Sequence, residues 1–372
     1  MLSSKRILTS AWGPIITGAV VGILAPILTA KGNPGNMGIC VACFNRDIAG
    51  ALGLHRAALV QYIRPEIPGF ILGAFAAALV FGEFKPRCGS APIVRFFLGV
   101  FAMIGALIFL GCPWRAYLRL TGGDWNAIWG ITGLISGVLI GIAFLKFGFS
   151  LGRNRPSAWP VGIIAVLIAI GLLLFQVYTP LLGRDPNGQP TGPIFSSKEG
   201  PGSMHAPLVI SLAVGFGIGF LAQRSRFCTV GAIRDFVLLR DPHLLYGILA
   251  LIVTAFATNL MLGQFRPGFV DQPISHTNGF MNFGGMVLAG LAFTLAGGCP
   301  GRQVFLSGEG DGDAALFVLG MIVGAGFAHN FSFASSPKGP GAFSLWALAI
   351  GLMFCIGLGF TMREVEGIGG RS

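Results

Sequence analysis

The chain has 372 residues, 53% of them hydrophobic and only 10% charged, with a formal net charge of +11. Soluble proteins carry roughly 25% charged residues, so this composition excludes a soluble enzyme and describes an all-α polytopic membrane protein. The positive balance is expected to reflect membrane topology first and attraction of anions second, and nothing in it points to nucleic acid.

Taken in chain order, apolar runs close to the roughly 20 residues that cross a bilayer are expected at 13–31, 66–83, 94–111, 126–148 and 159–180. A second set follows at 206–223, 243–263, 280–297, 313–331 and 342–361. The runs at 66–83 and 280–297 are short and interrupted by glycine, so the count is ten, give or take one. Lys5 and Arg6 precede the first run as they would precede a secretory leader. Its counterpart at 206–223, however, leads into the same motif, and the first run is expected to be retained.

Residues 183–205 divide the chain into a first repeat, 1–182, and a second, 206–372. From Gly183 to Gly202 nine of twenty residues are Gly or Pro, a composition that holds neither a helix nor a core. Five spans before this linker turn the second half upside down relative to the first. Inverted repeats of this kind place a transport site at the repeat interface near mid-membrane. With the N-terminus inside, thirteen Lys and Arg fall in inner loops and eight in outer ones, apart from four motif arginines. That bias places both termini in the cytoplasm and the linker outside.

The strongest signal is a doubled motif. Cys40 begins C-x5-R-D through Arg46 and Asp47, and Cys228 begins the same pattern through Arg234 and Asp235; His55 and His243 each follow fifteen residues after their cysteine. Gly111-Cys112-Pro113-Trp114-Arg115 is answered by Gly298-Cys299-Pro300-Gly301-Arg302, with Asp124 and Asp311 each twelve residues beyond the cysteine. The cysteines are 72 apart in one half and 71 in the other.

Proline suits the first turn of a helix, so Cys112 and Cys299 are expected at the N-termini of short re-entrant helices, where free N–H groups and the helix dipole favour anions. Arg115 and Arg302 fall one turn along on the same side. Arg46 and Asp47, like Arg234 and Asp235, point about 100° apart on a helix. Each is therefore expected to find its opposite charge elsewhere and to brace the fold. Asp124 and Asp311 are expected to cap the next helix, and His55 and His243 to hydrogen-bond at membrane edges. No clustered ligands suggest a metal, and no cofactor is implied.

Neutral thiols offer weak, soft hydrogen bonds to a polarizable sulfur or selenium anion, and weak repeated stations suit conduction. Cys40, Cys112, Cys228 and Cys299 are the expected stations. Cys43 forms C-x-x-C with Cys40 and either joins this pathway or is redox-active, which leaves a membrane thiol-disulfide oxidoreductase as the alternative. Cys88 and Cys355 lack repeat partners and are expected to be small buried hydrophobes. Small-x3-small pairs at Gly18/Gly22, Gly137/Gly141, Gly215/Gly219 and Gly320/Gly324 are expected to bring helices into close contact. Phosphate-loop and H-E-x-x-H motifs are absent, which excludes most primary pumps and membrane zinc enzymes.

Through Arg226-Phe227-Cys228 with Arg234-Asp235, the equivalent Cys40 to Asp47, and the two Gly-Cys-Pro elements, the chain resembles the YeeE/YedE family of inner-membrane sulfur-compound transporters. The resemblance implies an hourglass-shaped, non-enzymatic protein of the bacterial inner membrane that takes up thiosulfate. It implies cysteines relaying the anion through a constriction, with the relay falling on Cys40, Cys112 and Cys299 and extended to Cys228 by symmetry. Cys43 and the chain length resemble the YedE branch, which implies a selenium compound as cargo and a small TusA-like sulfur carrier as cytoplasmic partner.

Overall fold

The computed structural model describes residues 8–178 and 194–363. The first part of the expected linker, together with Lys5, Arg6, Arg184 and Arg371, lies outside the described residues. The first half is built of α1 (Trp12–Ala30), α2 (Val41–Ala51), α3 (Glu66–Val80), α4 (Pro92–Phe109), α5 (Pro113–Thr121), α6 (Ala127–Lys146) and α7 (Trp159–Tyr178). The second is built of α8 (Leu208–Ser225), α9 (Thr229–Leu239), α10 (His243–Met261), α11 (Gly279–Leu295), α12 (Pro300–Gly308), α13 (Gly312–Asn330) and α14 (Ser344–Thr361). A two-residue antiparallel ladder joins β1 (Arg87–Cys88) to β2 (Arg155–Pro156).

The order long, short, long, long, short, long, long thus occurs twice. Every expected span falls on a helix. Nine stretches are long and apolar enough to cross a membrane among the described residues, and α3 is a shorter apolar helix. The short helices start and stop on chemistry the two halves share. Pro113 and Pro300 occupy the first turn of α5 and α12, where the missing N–H costs nothing. Gly123 (φ +97°) and Gly310 (φ +95°) turn the chain just after each of them.

The halves share one core. The main pairings are α1 on α10, α3 on α8, α4 on α13 and α6 on α11, with α4 also meeting α11 at the centre. All four small-x3-small pairs lie in these seams. A Cβ on Gly18 would come 1.9 Å from the Gly247 carbonyl oxygen, and one on Gly320 would come 2.1 Å from that of Phe96. Gly137 meets the Val287 carbonyl in the same way, and Gly219 that of Phe70. Such backbone contact supplies dispersion where lipid gives no hydrophobic drive between helices.

Loops gather at two ends. At one end, here the linker face, the Ser197 N–H donates to the Gln61 carbonyl, Gly268 N–H to Gly123, and Asn330 Nδ2 to Leu54. At the opposite face Lys85 N–H donates to the Glu309 carbonyl, and Arg224 pairs with Glu83 at 2.6 Å. Burial pushes the Glu83 carboxyl up, but hydrogen bonds from Gln223 and Arg224 outweigh this and hold it below the ordinary carboxylate range. The described part of the linker is more fixed than its composition suggests. Phe195 N–H donates to the Ala51 carbonyl, Arg64 donates to the carbonyls of Pro201 and Met204, and Ile194 and Ala206 are buried. Backbone hydrogen bonds to the loop at 51–64 do the work that local propensity does not.

The perimeter is apolar. Ile168, Leu174, Val253, Leu260, Trp346 and Met353 are all exposed, the surface a lipid environment requires and water does not tolerate in such extent.

Candidate functional site

Four cysteines stand at the starts of the four short helices. Cys40 caps α2 and Cys228 caps α9, both in extended backbone. Their sulfurs accept hydrogen bonds from the third residue on, Cys43 N–H at 3.3 Å and Gly231 N–H at 3.2 Å. Cys112 and Cys299 cap α5 and α12 without closing a side-chain capping bond. These two helix starts therefore keep first-turn donors and the positive dipole end directed into the interior.

Helix packing brings distant cysteines together in each half. Cys112 lies against Cys40, and the Cys299 N–H donates to the Cys228 sulfur at 3.4 Å. Cys43 is part of the first group, its sulfur 3.9 Å from the Leu110 carbonyl. All five thiols are buried and unbridged. Cys355 is also buried, while half-buried Cys88 sits on β1 at the opposite face, away from both groups.

Arg115 and Arg302 fold back over the glycine of their own motif. A Cβ on Gly111 or Gly298 would meet the arginine stem at 3.1 Å, a tight but not forbidden approach. Beyond this the two differ. Arg302 pairs with Glu309 at 3.1 Å. Arg115 is wholly buried and forms no ion pair among the described residues; it donates to the carbonyls of Asn36, Leu110 and Ile274 and to the Cys43 sulfur at 3.7 Å. A buried cation held by neutral acceptors beside thiols is an electrostatic invitation to an anion.

The C-x5-R-D segments correct one expectation. Arg46 pairs with the adjacent Asp47 at 2.6 Å and Arg234 with Asp235 at 2.8 Å. The helical offset separates the Cβ atoms, but the long guanidinium stem curls back to the carboxylate. Asp47 also binds Arg64 at 2.7 Å from its own half, so it braces two arginines as expected of it, while Asp235 braces one. Asp311 caps α13 through Ala314 N–H at 3.0 Å. Asp124 does not cap α6; it holds Arg119 at 2.7 Å and accepts from Asn126 N–H, because the helix starts at Ala127, two residues later than a cap at Asp124 requires. His55 Nε2 donates to the Arg46 carbonyl at 3.1 Å, and His243 pairs with Asp241 at 2.7 Å.

Arg64, Arg119 and Trp114 were not singled out by the motifs. The two arginines lie in segments that count as loops by composition. Trp114 carried a signal, because it breaks the repeat at the position of Gly301. A cavity of about 330 Å³ opens on the linker face beside Asn36, Gln272 and Pro273, and the Asn36 carbonyl on its wall accepts from Arg115. No group of three or more metal-ligating side chains occurs among the described residues.

These features define a multi-pass helical membrane protein with a buried, duplicated thiol centre and a cationic approach on one face. Residues 224–360 match a family model described as sulphur transport. A stretch of 140 residues is 31% identical to the thiosulfate transporter TsuA of Spirochaeta thermophila, covering 38% of this chain and 39% of that relative's length. Each match covers only part of the chain, and both the family model and the relative are described in terms of sulfur-compound transport.

Proposed function

We propose that the protein carries a small sulfur- or selenium-containing anion of the thiosulfate type across the bacterial inner membrane, from the linker face to the opposite face. The observation that carries the reading is the meeting of Cys40 with Cys112 and of Cys228 with Cys299, each pair assembled from cysteines some seventy residues apart. On this reading 1–182 and 206–372 are inverted repeats, and the anion enters the linker-face cavity and is attracted by Arg115. It then passes Cys40, Cys43 and Cys112 before Cys228 and Cys299. Arg46, Asp47, Arg234, Asp235 and Arg302 hold the walls. A TusA-like carrier would receive the sulfur or selenium on the cytoplasmic side. The sulfur-transport family matches support a sulfur anion as cargo; the YedE-like Cys43 supports selenium. Cys40 and Cys43 are both wholly buried, out of reach of a partner protein's thiol, which favours transport over thiol-disulfide exchange.

The test is uptake of labelled thiosulfate and of selenite by cells that depend on this protein, repeated with Cys40, Cys112, Cys228 and Cys299 changed singly to Ala. Each change removes a hydrogen-bonding station and is expected to lower uptake about tenfold or more. Undiminished uptake in all four variants rules out the thiol path, and the ratio of the two substrates in the unaltered protein decides the cargo.

A further inference from the structure

The two Gly-Cys-Pro-x-Arg elements differ at one position, Trp114 against Gly301, and the structure uses that difference. The Trp114 ring lies over the first turn of α12, so that a Cβ on Gly301 would approach its Cζ2 to 3.2 Å and its Cε2 to 3.4 Å. Phe227, the residue before Cys228, meets the indole edge-on at 5.6 Å; Phe305 lies at 6.0 Å and Phe70 at 6.3 Å. All four rings are among the most deeply buried in the protein. Trp114 is two residues from Cys112, yet it touches the neighbour of Cys228 and the residue two beyond Cys299. The aromatic cluster therefore stands between the two thiol groups.

Filling space does not require an indole. The Trp114 Nε1–H is buried without a hydrogen-bond partner among the described residues, which costs about 1–3 kcal/mol and which buried tryptophans ordinarily avoid. Nε1 is bonded to Cε2, the ring atom facing Gly301, so the donor lies on the edge turned to the α12 start. There Cys299 leaves first-turn N–H groups uncapped.

We propose that Trp114 has two roles in the path, a claim that rests on the transport reading. With Phe70, Phe227 and Phe305 it forms an apolar block that closes the passage to hydrated ions, as hydrophobic constrictions do by excluding water. Its Nε1–H donates to an oxygen or chalcogen atom of the sulfur- or selenium-type anion as that anion moves from Cys40 and Cys112 to Cys228 and Cys299. The hand-over involves hydrogen bonds alone, with no covalent or redox step.

Purified full-length protein in proteoliposomes separates the two roles through two fluxes, labelled thiosulfate uptake and iodide efflux. Trp114→Phe keeps an aromatic block and loses the donor; thiosulfate uptake is expected to fall about tenfold, the worth of one hydrogen bond to an anion, with iodide efflux unchanged. Trp114→Ala opens the block and is expected to raise iodide efflux about tenfold or more. Trp114→Leu, which leaves a smaller void, gives the same readout should the alanine variant not fold. Full thiosulfate uptake by Trp114→Phe overturns the donor role, and iodide tightness in both smaller variants overturns the block. If the unaltered protein takes up no thiosulfate, the transport reading for that anion fails, while the iodide flux still decides the block.

Discussion

At the scale of single residues, the charges that look equivalent in the repeat are not energetically equivalent. Asp47 is wholly buried between Arg46 and Arg64, whereas Arg234 keeps 31% of its side chain exposed beside Asp235. Removing one partner of a buried ion pair costs about 3–5 kcal/mol, because the other charge is left uncompensated. An exposed pair contributes about 1 kcal/mol or less. Asp47→Asn is therefore expected to lower the thermal unfolding midpoint in detergent far more than Asp235→Asn, and equal effects would contradict the burial difference. The cysteines and the motif arginines were legible in the sequence because duplication marked them. Arg64 and the aromatic block were not, since much of what holds them comes from segments more than a hundred residues away, which no local pattern encodes; Arg119 was missed although its ion partner Asp124 lies five residues on. Arg64 is held by Pro201 and Met204, and Trp114 by Phe227 and Gly301.

At the scale of elements, helix existence followed from composition, and helix ends followed from punctuation. The run expected to reach residue 83 stops at Val80, because the chain turns through Gly82 at φ +68°. The small-x3-small pairs foretold close packing, but which helices they join emerges only in space. Gly320 on α13 rests on the Phe96 carbonyl of α4 with no room for a side-chain atom. Gly320→Leu must push the two backbones apart, and overpacking of this kind costs about 1–3 kcal/mol or more. It is expected to lower the unfolding midpoint, whereas Gly171→Leu, at a position facing open space on α7, is expected to leave it unchanged. A similar loss at both positions would show that glycine acts through chain flexibility and not through the seam.

At the scale of the whole molecule, the remaining question is which face looks outward, and the structure refines the charge argument. Of the thirteen cations expected inside, Arg224 is buried in its pair with Glu83, leaving twelve. Of the eight expected outside, Arg64 and Arg119 are buried in ion pairs, leaving six. The bias of Lys and Arg between loops sets orientation, and the twelve-to-six excess is the ground for expecting the linker face outside. The same face bears the cavity walled in part by Asn36, whose carbonyl accepts from Arg115, so on the transport reading both arguments put the anion's entry there. Lys198 and Lys338 are exposed on the linker face, and Lys85 and Lys146 on the opposite one. A membrane-impermeant amine reagent applied to right-side-out vesicles is expected to modify Lys198 and Lys338 and to reach Lys85 and Lys146 only after permeabilisation. The reverse pattern would turn the protein over. The cationic approach would then serve export, and the path through the thiols would have to be read from the other end.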